Sequence, residues 1–482
     1  MMHRRFAAIL AAGTLALAAP ALSQTITVRA DGSGDHLTIP SAVAAVADGG
    51  TIQITEAGTY IEGVTLPGGK SYTIEATVPG VVSGDDSGFS GWSLDPSAGV
   101  VDVTLRGFEI RRIAGSGAAF DIDQHATNSV TVTFDDMDIR QTVTASGGEA
   151  LKLDDGAGAG AAPIVVTATD SLFEALTESG SGKAAIRVQG DVDEMSNVTI
   201  ELTNCTLTNK NEGCFRSDGD SNQTYTLTGC TLNNPLDKGF ELATAQDGST
   251  YTLVDTTILA GQEGVYVRAD SVNNTWVFER CTIDNTAAFD TGGDKAVSLD
   301  YDTAGTSTDP AVANNTLSMK NCLILSQPGS GSNFRAVDLD NFNAASFLHC
   351  TIAAVGGTGD RAISTARSSA YDFQNCAFID YADPISGSTG TKSGNAIAGP
   401  ADDTSGGGDR IYTTNVGDFN LDAGYAPSPT SSLIDAGDAD TAISTAVGGV
   451  DRAGATRDAT PDIGAFEYIS VSSVEDWRVI EK

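Results

Sequence analysis

Histidine and basic residues are scarce in this sequence. Of its 482 residues four are histidines, and His3 lies at the extreme N-terminus, which leaves His36, His125 and His349 for chemistry. This supply argues against a serine–histidine catalytic centre and against a histidine-rich metal site. Lysine and arginine number 27 against 63 acidic residues, a formal net charge of −36. Such a charge repels nucleic acid and anionic lipid, so we expect no nucleic-acid partner.

Long apolar runs are absent beyond the N-terminus, so we expect no membrane insertion. The chain opens with a basic stretch at Met1–Arg5, an apolar run at Phe6–Ala18, and the small residues Ala21 and Ser23 before Gln24. The apolar run is shorter than the roughly 20 residues of a membrane-spanning helix. This layout predicts a secretory signal peptide over 1–23. The mature chain is then secreted and extracellular or attached to the cell surface, with the periplasm as an alternative.

A short pattern of the form Asn-Cys-Thr-Leu recurs along the chain. Its cysteine position falls at residues 205, 230, 256, 281, 322, 350 and 376, with one longer interval between Cys281 and Cys322. Repeats of 20 to 50 residues are typical of solenoids, in which each unit buries its apolar face against its neighbours. The regularity therefore predicts a stack of similar coils, with degenerate copies of the pattern beginning near Gly107.

Each repeat contains three short strands separated by bends. Apolar residues alternate before the pattern, as in Tyr225/Leu227 and Trp276/Phe278, and the alternation shifts by one place at the residue before the cysteine position. That residue is a predicted single-residue corner, and most of its copies are Gly, Asn or Asp, which adopt left-handed backbone conformations at low cost. The corner residues are Gly107, Asp136, Asp170, Asn204, Gly229, Asp255, Arg280, Asn321, His349 and Asn375.

Three strands per coil of about 25 residues predict an all-β fold, a single-stranded right-handed parallel β-helix. A left-handed β-helix would show a hexapeptide rhythm, and a β-propeller would need four strands in a longer repeat. Helical spacing over Thr38–Asp48 predicts an amphipathic helix that caps the first coil. The domain boundaries are then an N-terminal cap over 24–50, the β-helix over 51–386, a Gly/Ser/Asp-rich linker over 387–410, and a C-terminal cap and tail over 411–482.

The seven cysteines are expected to be reduced and buried. Six of them occupy one inward-facing position of successive coils, where side chains run parallel rather than toward each other, a poor geometry for disulfides. A ladder of buried thiols behaves as a set of small apolar residues. A hydroxyl in this ladder would lack an assured partner, so serine should be tolerated less well there than alanine.

The coil pattern of strand, asparagine-type corner, strand, loop and strand resembles the pectin-lyase-like β-helix superfamily. The opening Ala30-Asp-Gly-Ser-Gly-Asp35 is similar to the start of pectin methylesterases. The ending Pro461-Asp-Ile-Gly-Ala-Phe-Glu467 is similar to the close of large bacterial surface β-helix proteins. The Asp-Phe-Ile-Phe-Gly segment of pectin methylesterases and the Gly-His-Gly motif of polygalacturonases are missing. The resemblance therefore implies the architecture and leaves the activity open.

In that superfamily the third strand lines the substrate groove, so its outward residues are the candidate site. Lys152, Arg187 and Arg216 fall at one position of three successive coils and are predicted catalytic or anion-binding cations. Lys152 would be the base in a lyase, because burial lowers the pKa of lysine readily. The expected substrate-binding residues are Asp121, Glu241, Tyr266 and Arg268. The expected Ca²⁺ ligands are Asp123, Asp154, Asp218 and Asp220, the last two in the acidic turn Asp218-Gly-Asp220-Ser-Asn222.

Two functions remain open at this point. The first is an exported protein that binds, or also cleaves, an anionic polysaccharide or cell-surface glycan. If it is an enzyme, it would be a polysaccharide lyase, or a glycoside hydrolase using Asp121 with Asp123 or Asp154 as the carboxylate pair. The second is a non-enzymatic adhesin or structural spacer, in which the charges on the third strand only offset one another. Calcium is the one cofactor that the sequence suggests.

Overall fold

The computed structural model describes residues 24–85, 91–143, 148–155, 162–176, 183–190, 195–219, 221–267, 271–286, 295–300, 314–328, 335–340, 342, 344–365, 370–385, 391–398, 410–413, 416–438, 450–458 and 460–468. The predicted signal peptide over 1–23 lies outside these residues. Within the described residues, no helix is both long and apolar enough to cross a membrane.

Parallel strands stack into three sheets, each contributed by one strand of every coil. The first sheet has 14 strands: Thr25–Val28, Gly50–Ile54, Lys70–Ala76, Val101–Arg106, Val130–Asp135, Ile164–Thr169, Val198–Thr203, Thr224–Thr228, Thr250–Val254, Thr275–Glu279, Thr316–Lys320, Ala344–Leu348, Ala370–Gln374 and Lys392–Ser393. The second sheet also has 14: Gly58–Ile61, Val81–Asp85, Glu109–Arg112, Asp138–Gln141, Leu172–Ala175, Thr206–Asn209, Thr231–Asn234, Thr257–Ala260, Thr282–Asp284, Leu323–Ser326, Thr351–Ala354, Ala377–Ile379, Asn395–Ala398 and Arg410–Thr413. The third has 11: Val64–Pro67, Trp92–Asp95, Phe120–Asp123, Leu151–Asp154, Ile186–Gln189, Phe215–Ser217, Phe240–Leu242, Val265–Val267, Val297–Asp300, Arg335–Asp340 and Arg361–Thr365.

This topology confirms the right-handed parallel β-helix. The stacked strands begin at Thr25 and continue to Thr413, so they reach beyond the range 51–386 indicated by the repeat. The first strand pairs with Gly50–Ile54 because Ile26 and Val28 continue the inward apolar column. The repeat pattern misses these end coils because they lack the cysteine motif.

The predicted corners are confirmed. All ten corner residues have positive φ, between 50° and 74°. A single left-handed residue turns the chain from the first sheet to the second and shifts the side-chain alternation by one place. Because the corner recurs on every coil, the three sheets keep a constant register.

A short helix covers the first coil, as predicted, over Ile39–Ala45. The Thr38 hydroxyl accepts a hydrogen bond from the Ser41 amide, which caps the helix, and Ile39, Ala42 and Val43 are buried. The helix ends before the predicted Asp48, because Val46 is already extended. The Lys70 ammonium donates to the carbonyls of Val43 and Val46 at 2.8 and 3.0 Å, which satisfies this C-terminal end.

The interior of the coils holds the predicted thiol ladder. All seven cysteines are free and buried. Burial raises the pKa of the Cys281, Cys322 and Cys350 thiols well above the usual value, so they are neutral. Each ladder thiol also has a backbone carbonyl within reach, such as Leu202 O at 3.5 Å from Cys230 Sγ.

The carbonyls beside the ladder argue against the prediction that serine is tolerated less well than alanine there. Thr256 occupies the same position between Cys230 and Cys281, and its hydroxyl donates to Leu227 O and Val254 O at 3.1 and 3.0 Å. A serine at 230 would find the equivalent carbonyls of Leu202 and Thr228. We therefore expect Cys230→Ser to cost no more than Cys230→Ala, each about 1 kcal/mol of unfolding free energy, measured by urea denaturation. A serine variant clearly less stable than the alanine variant would contradict this pairing.

The chain after the last strand packs against the outer face of the second sheet. Phe419, Leu433 and Ile463 form a second apolar cluster with Ala377 and Ala396. We refer to the described residues of 416–468 as the C-terminal segment. This segment is anchored on three successive corners, Asn321, His349 and Asn375, through hydrogen bonds to its backbone.

Candidate functional site

The outer face of the third sheet carries a column of charged and polar residues in strict register. Asp121 pairs with Lys152, Lys152 with Arg187, Arg187 with Arg216, Arg216 with Glu241, and Glu241 with Tyr266. Neighbouring strands are about 4.8 Å apart, so these side chains lie one above another along the helix axis. The predicted adjacency of Lys152, Arg187 and Arg216 is therefore confirmed.

The three cations are, however, engaged by carboxylates. Arg187 Nη2 lies 2.6 Å from Asp218 Oδ2, and Arg216 Nη2 lies 3.0 Å from Asp218 Oδ1. Arg216 also contacts Glu241 at 3.3 Å, and the Lys152 ammonium contacts Asp154. The side chains of all three cations are less than one fifth exposed. These carboxylates offset the charges of the three cations locally, as expected if the charges on the third strand only neutralise one another.

Lys152 is protonated, whereas a catalytic base must be neutral. Burial by itself lowers the pKa of this ammonium, but the hydrogen bond to Asp154 and the charges of Asp121 and Asp154 outweigh burial and leave the pKa raised. The lysine is therefore protonated at neutral pH. The expectation of a lowered pKa was wrong because it weighed burial and not the adjacent carboxylates.

Asp218 is a partner of the arginines rather than a member of the acidic cluster. Both of its oxygens accept hydrogen bonds from guanidinium groups, and its side chain is 8% exposed. The expected calcium role of Asp218 has no support in this geometry, because a metal ion would have to displace two arginines. Asp220 and Arg268 lie outside the described residues, so their predicted roles have no structural test.

Asp121, Asp123 and Asp154 form a separate acidic cluster at the N-terminal side of the column. One carboxylate oxygen from each residue lies within 4.8 Å of the others. Asp121 Oδ1 is buried and has no hydrogen-bond partner. Burial and the neighbouring carboxylates raise the pKa of Asp121 to about 6, against the opposing charge of Lys152. Three carboxylates and the single ammonium of Lys152 leave an excess of two negative charges here.

Glu241 and Tyr266 continue the column toward the C-terminal coils. Glu241 is 3% exposed and accepts hydrogen bonds from Arg216 and from the Gly213 amide, so it is a buried ion-pair partner rather than a free contact for substrate. Tyr266 is half-buried, and the Lys238 ammonium lies 5.2 Å from the centre of its ring. Of the expected substrate-binding residues, Tyr266 and Asp121 thus present groups toward the outer face.

Several charged residues that precede the third strands contact the column but were not predicted from the sequence. Glu149 is 3% exposed at its side chain and contacts Lys183 and Arg187 at 3.5 and 3.4 Å. Glu212 contacts Arg216, and Lys238 covers Tyr266. Glu149 and Lys238 stand two residues before the first inward residue of a third strand, and Glu212 stands three before. Their place two or three residues before the first inward residue is the sequence feature from which they could have been predicted.

Comparisons with known proteins identify similar folds. No known family model and no curated protein matches the sequence. Among solved structures, the chain is similar to the pectate lyase Pel9A, with 14% identity over 93% of this chain and 98% of that chain, at a TM-score of 0.42. It is also similar to a mannuronic acid specific family 6 polysaccharide lyase from human gut microbiota, with 13% identity over 82% and 91% of the two chains, at a TM-score of 0.39. A Dettilon tailspike protein has 12% identity over 76% and 62%, at a TM-score of 0.41.

Proposed function

We propose that this protein is exported and binds an acidic polysaccharide outside the cell through calcium held by Asp121, Asp123 and Asp154. The observation that carries the proposal is this acidic cluster, with its excess of two negative charges and the buried, unpartnered Asp121 Oδ1. An orphaned buried carboxylate oxygen is costly, and a divalent cation would satisfy it.

The donor set fits calcium. Calcium takes six to eight oxygen ligands in flexible geometry, and carboxylates bind it in one- or two-oxygen mode. Three aspartates supply only part of that shell, so positions remain for carboxylates of an acidic glycan. The stacked third strands offer an extended face on which a polysaccharide lies along the axis, with Tyr266 as an apolar contact further along.

Bound calcium would also reduce the electrostatic repulsion between the acidic protein and an anionic polysaccharide. The protein carries a net charge of −36, which repels a polyanion. The cations of the central column are occupied by Asp154, Asp218 and Glu241, so they cannot offset that repulsion by themselves. We propose binding rather than lyase cleavage, because the ammonium of Lys152 is paired with Asp154 and its raised pKa keeps it protonated.

The test is calorimetric titration of calcium into the purified protein, followed by binding of a polyuronate with and without calcium. The variant Asp121→Asn/Asp123→Asn/Asp154→Asn should weaken calcium binding at least tenfold, or about 1.4 kcal/mol, and should lose the calcium-dependent part of polyuronate binding. The matched control, Asp102→Asn/Asp136→Asn/Glu201→Gln, removes three exposed carboxylates elsewhere and should behave as the parent. Polyuronate binding that remains calcium-dependent in the cluster variant would contradict the proposal. No binding by the parent at any calcium concentration would also contradict it and would favour the spacer function.

A further inference from the structure

A second charged cluster lies on the third sheet toward its C-terminal end. Asp338 is completely buried and is contacted by two cations. Lys295 Nζ lies 2.5 Å from Asp338 Oδ2, and Arg335 Nη1 lies 3.1 and 3.0 Å from the two carboxylate oxygens. Lys295 therefore already offsets the negative charge of Asp338, and Arg335 adds a further positive charge.

Arg361 places a second guanidinium beside Arg335. The two arginines are register partners at the start of adjacent strands. Arg361 Nε lies 3.7 Å from Asp383 Oδ2, and both of these side chains are more than one third exposed. A contact of this length between exposed groups stabilises little. The backbones of these register partners are about one strand spacing, 4.8 Å, apart, and an anion bound by both side chains would reduce the repulsion between their like charges.

The contrast with the central column identifies this pair as unusual. Arg187 and Arg216 share Asp218, and each has a further carboxylate, Glu149 or Glu241. Within the described residues, Arg335 has one carboxylate partner, which it shares, and Arg361 has one distant partner. The described ion pairs of this cluster join three cations, Lys295, Arg335 and Arg361, to two carboxylates, Asp338 and Asp383, in a chain with 63 acidic residues and 27 basic ones.

We propose that Arg335 and Arg361 form a second anchoring site for the polysaccharide, and that the site binds a carboxylate of the chain directly, without calcium. This inference rests on the proposed function, because it assigns the same ligand to both sites. A guanidinium binds a carboxylate through two parallel hydrogen bonds, which makes arginine suited to a planar anion.

The two sites lie on the third sheet at a defined separation. The strand Arg335–Asp340 lies six strand spacings from Leu151–Asp154 in the third sheet, roughly 29 Å along the axis. A long polyuronate would reach both sites, whereas a short oligomer would reach one. Binding at two linked sites strengthens overall affinity without any new type of contact, provided that the ligand can span them.

The test compares a long polyuronate with its short oligomers on the parent and on Arg335→Gln/Arg361→Gln. The double variant should bind the long polymer about tenfold more weakly, or about 1.4 kcal/mol, and keep the parent's calcium affinity. Lys295 remains to pair the buried Asp338, and the melting temperature of the double variant checks that the fold is kept. The control Arg106→Gln/Arg111→Gln makes the same charge change on the other two sheets and should bind as the parent.

The outcomes separate the two proposals. If the parent binds the polymer with calcium and the double variant binds it equally well, the arginine site is refuted and the calcium site stands. If the parent binds the polymer equally well with and without calcium and the double variant does not bind it, the arginine site stands and the calcium site is refuted. A parent that binds no polyuronate under either condition refutes both.

Discussion

Replacing Arg457 with methionine is expected to destabilise the protein by about 3–5 kcal/mol, the usual cost of removing one partner from a buried ion pair. The guanidinium is fully buried, 2.9 Å from Glu467 Oε2. It also donates to Asn321 Oδ1 and Gly464 O, each at 2.9 Å. Methionine would leave Glu467 buried without its cation and would remove one of the two hydrogen bonds between the C-terminal segment and the Asn321 corner, leaving the one to Val450 O.

The Arg457 variant should also show a local loss of stability where the C-terminal segment docks. Gly464 N donates to Asn375 O, and Ala465 N donates to Thr351 Oγ1, so both amides report on docking of the segment. We expect hydrogen exchange at these amides to accelerate more than exchange in the first coils. The double variant Arg457→Met/Glu467→Gln should recover part of the stability, because it removes the unpaired charge. A single variant as stable as the parent would show that the segment contributes little to the fold.

Acidification is expected to loosen the same docking through His349. The His349 ring is completely buried, with Nδ1 3.3 Å from Asp462 O and Nε2 3.3 Å from the Asn375 amide nitrogen. The carbonyl requires Nδ1 to donate, and the amide requires Nε2 to accept. Asn375 cannot rotate to offer its oxygen, because that oxygen accepts from the Asp438 amide at 2.6 Å. A proton on Nε2 would therefore meet another donor.

Burial, with the nearby Arg457 charge, lowers the pKa of His349 well below the usual value. The unfolded chain then binds this proton more readily than the folded one, so the stability due to neutral His349 is present above about pH 6.5 and is lost as the pH falls. Burial raises the pKa of Asp462 and Glu467, and these carboxylates give the opposite slope in the acidic range. The expected loss from His349 is about 1–3 kcal/mol, the cost of an unsatisfied buried donor.

A matched variant isolates the histidine from those carboxylates. His349→Asn keeps a residue that accepts the left-handed corner, as at Asn321 and Asn375. The unfolding free energies of the parent and of this variant should be measured by urea denaturation between pH 4 and 8. The parent should lose more stability than the variant as the pH falls, so its advantage over the variant should shrink. A difference that is constant with pH would contradict the role assigned to His349.

The placement of the outward residues could be predicted because a parallel β-helix repeats. Once the corners at Asn204 and Gly229 fix the coil, register alone places Arg187 beside Arg216. The pairing of those arginines could not be predicted, since it depends on Glu149 and Glu212, which lie before the strands and fold back over the sheet. The same limit made Lys152 look like a base, because its pKa depends on which carboxylates its ammonium reaches.

The sequence by itself determined the coil, its left-handed corners, the buried thiols and the column of charges, because each of these depends on alternation and spacing within about 25 residues. Only the tertiary structure decided which carboxylates pair with arginine and which cluster together. It separated Asp218, held between two arginines, from the cluster of Asp121, Asp123 and Asp154. It also joined Arg457 to Asn321, 136 residues apart in the chain. Such contacts depend on side-chain conformation and on segments that meet only after the coils have stacked, and no local pattern in the sequence encodes them.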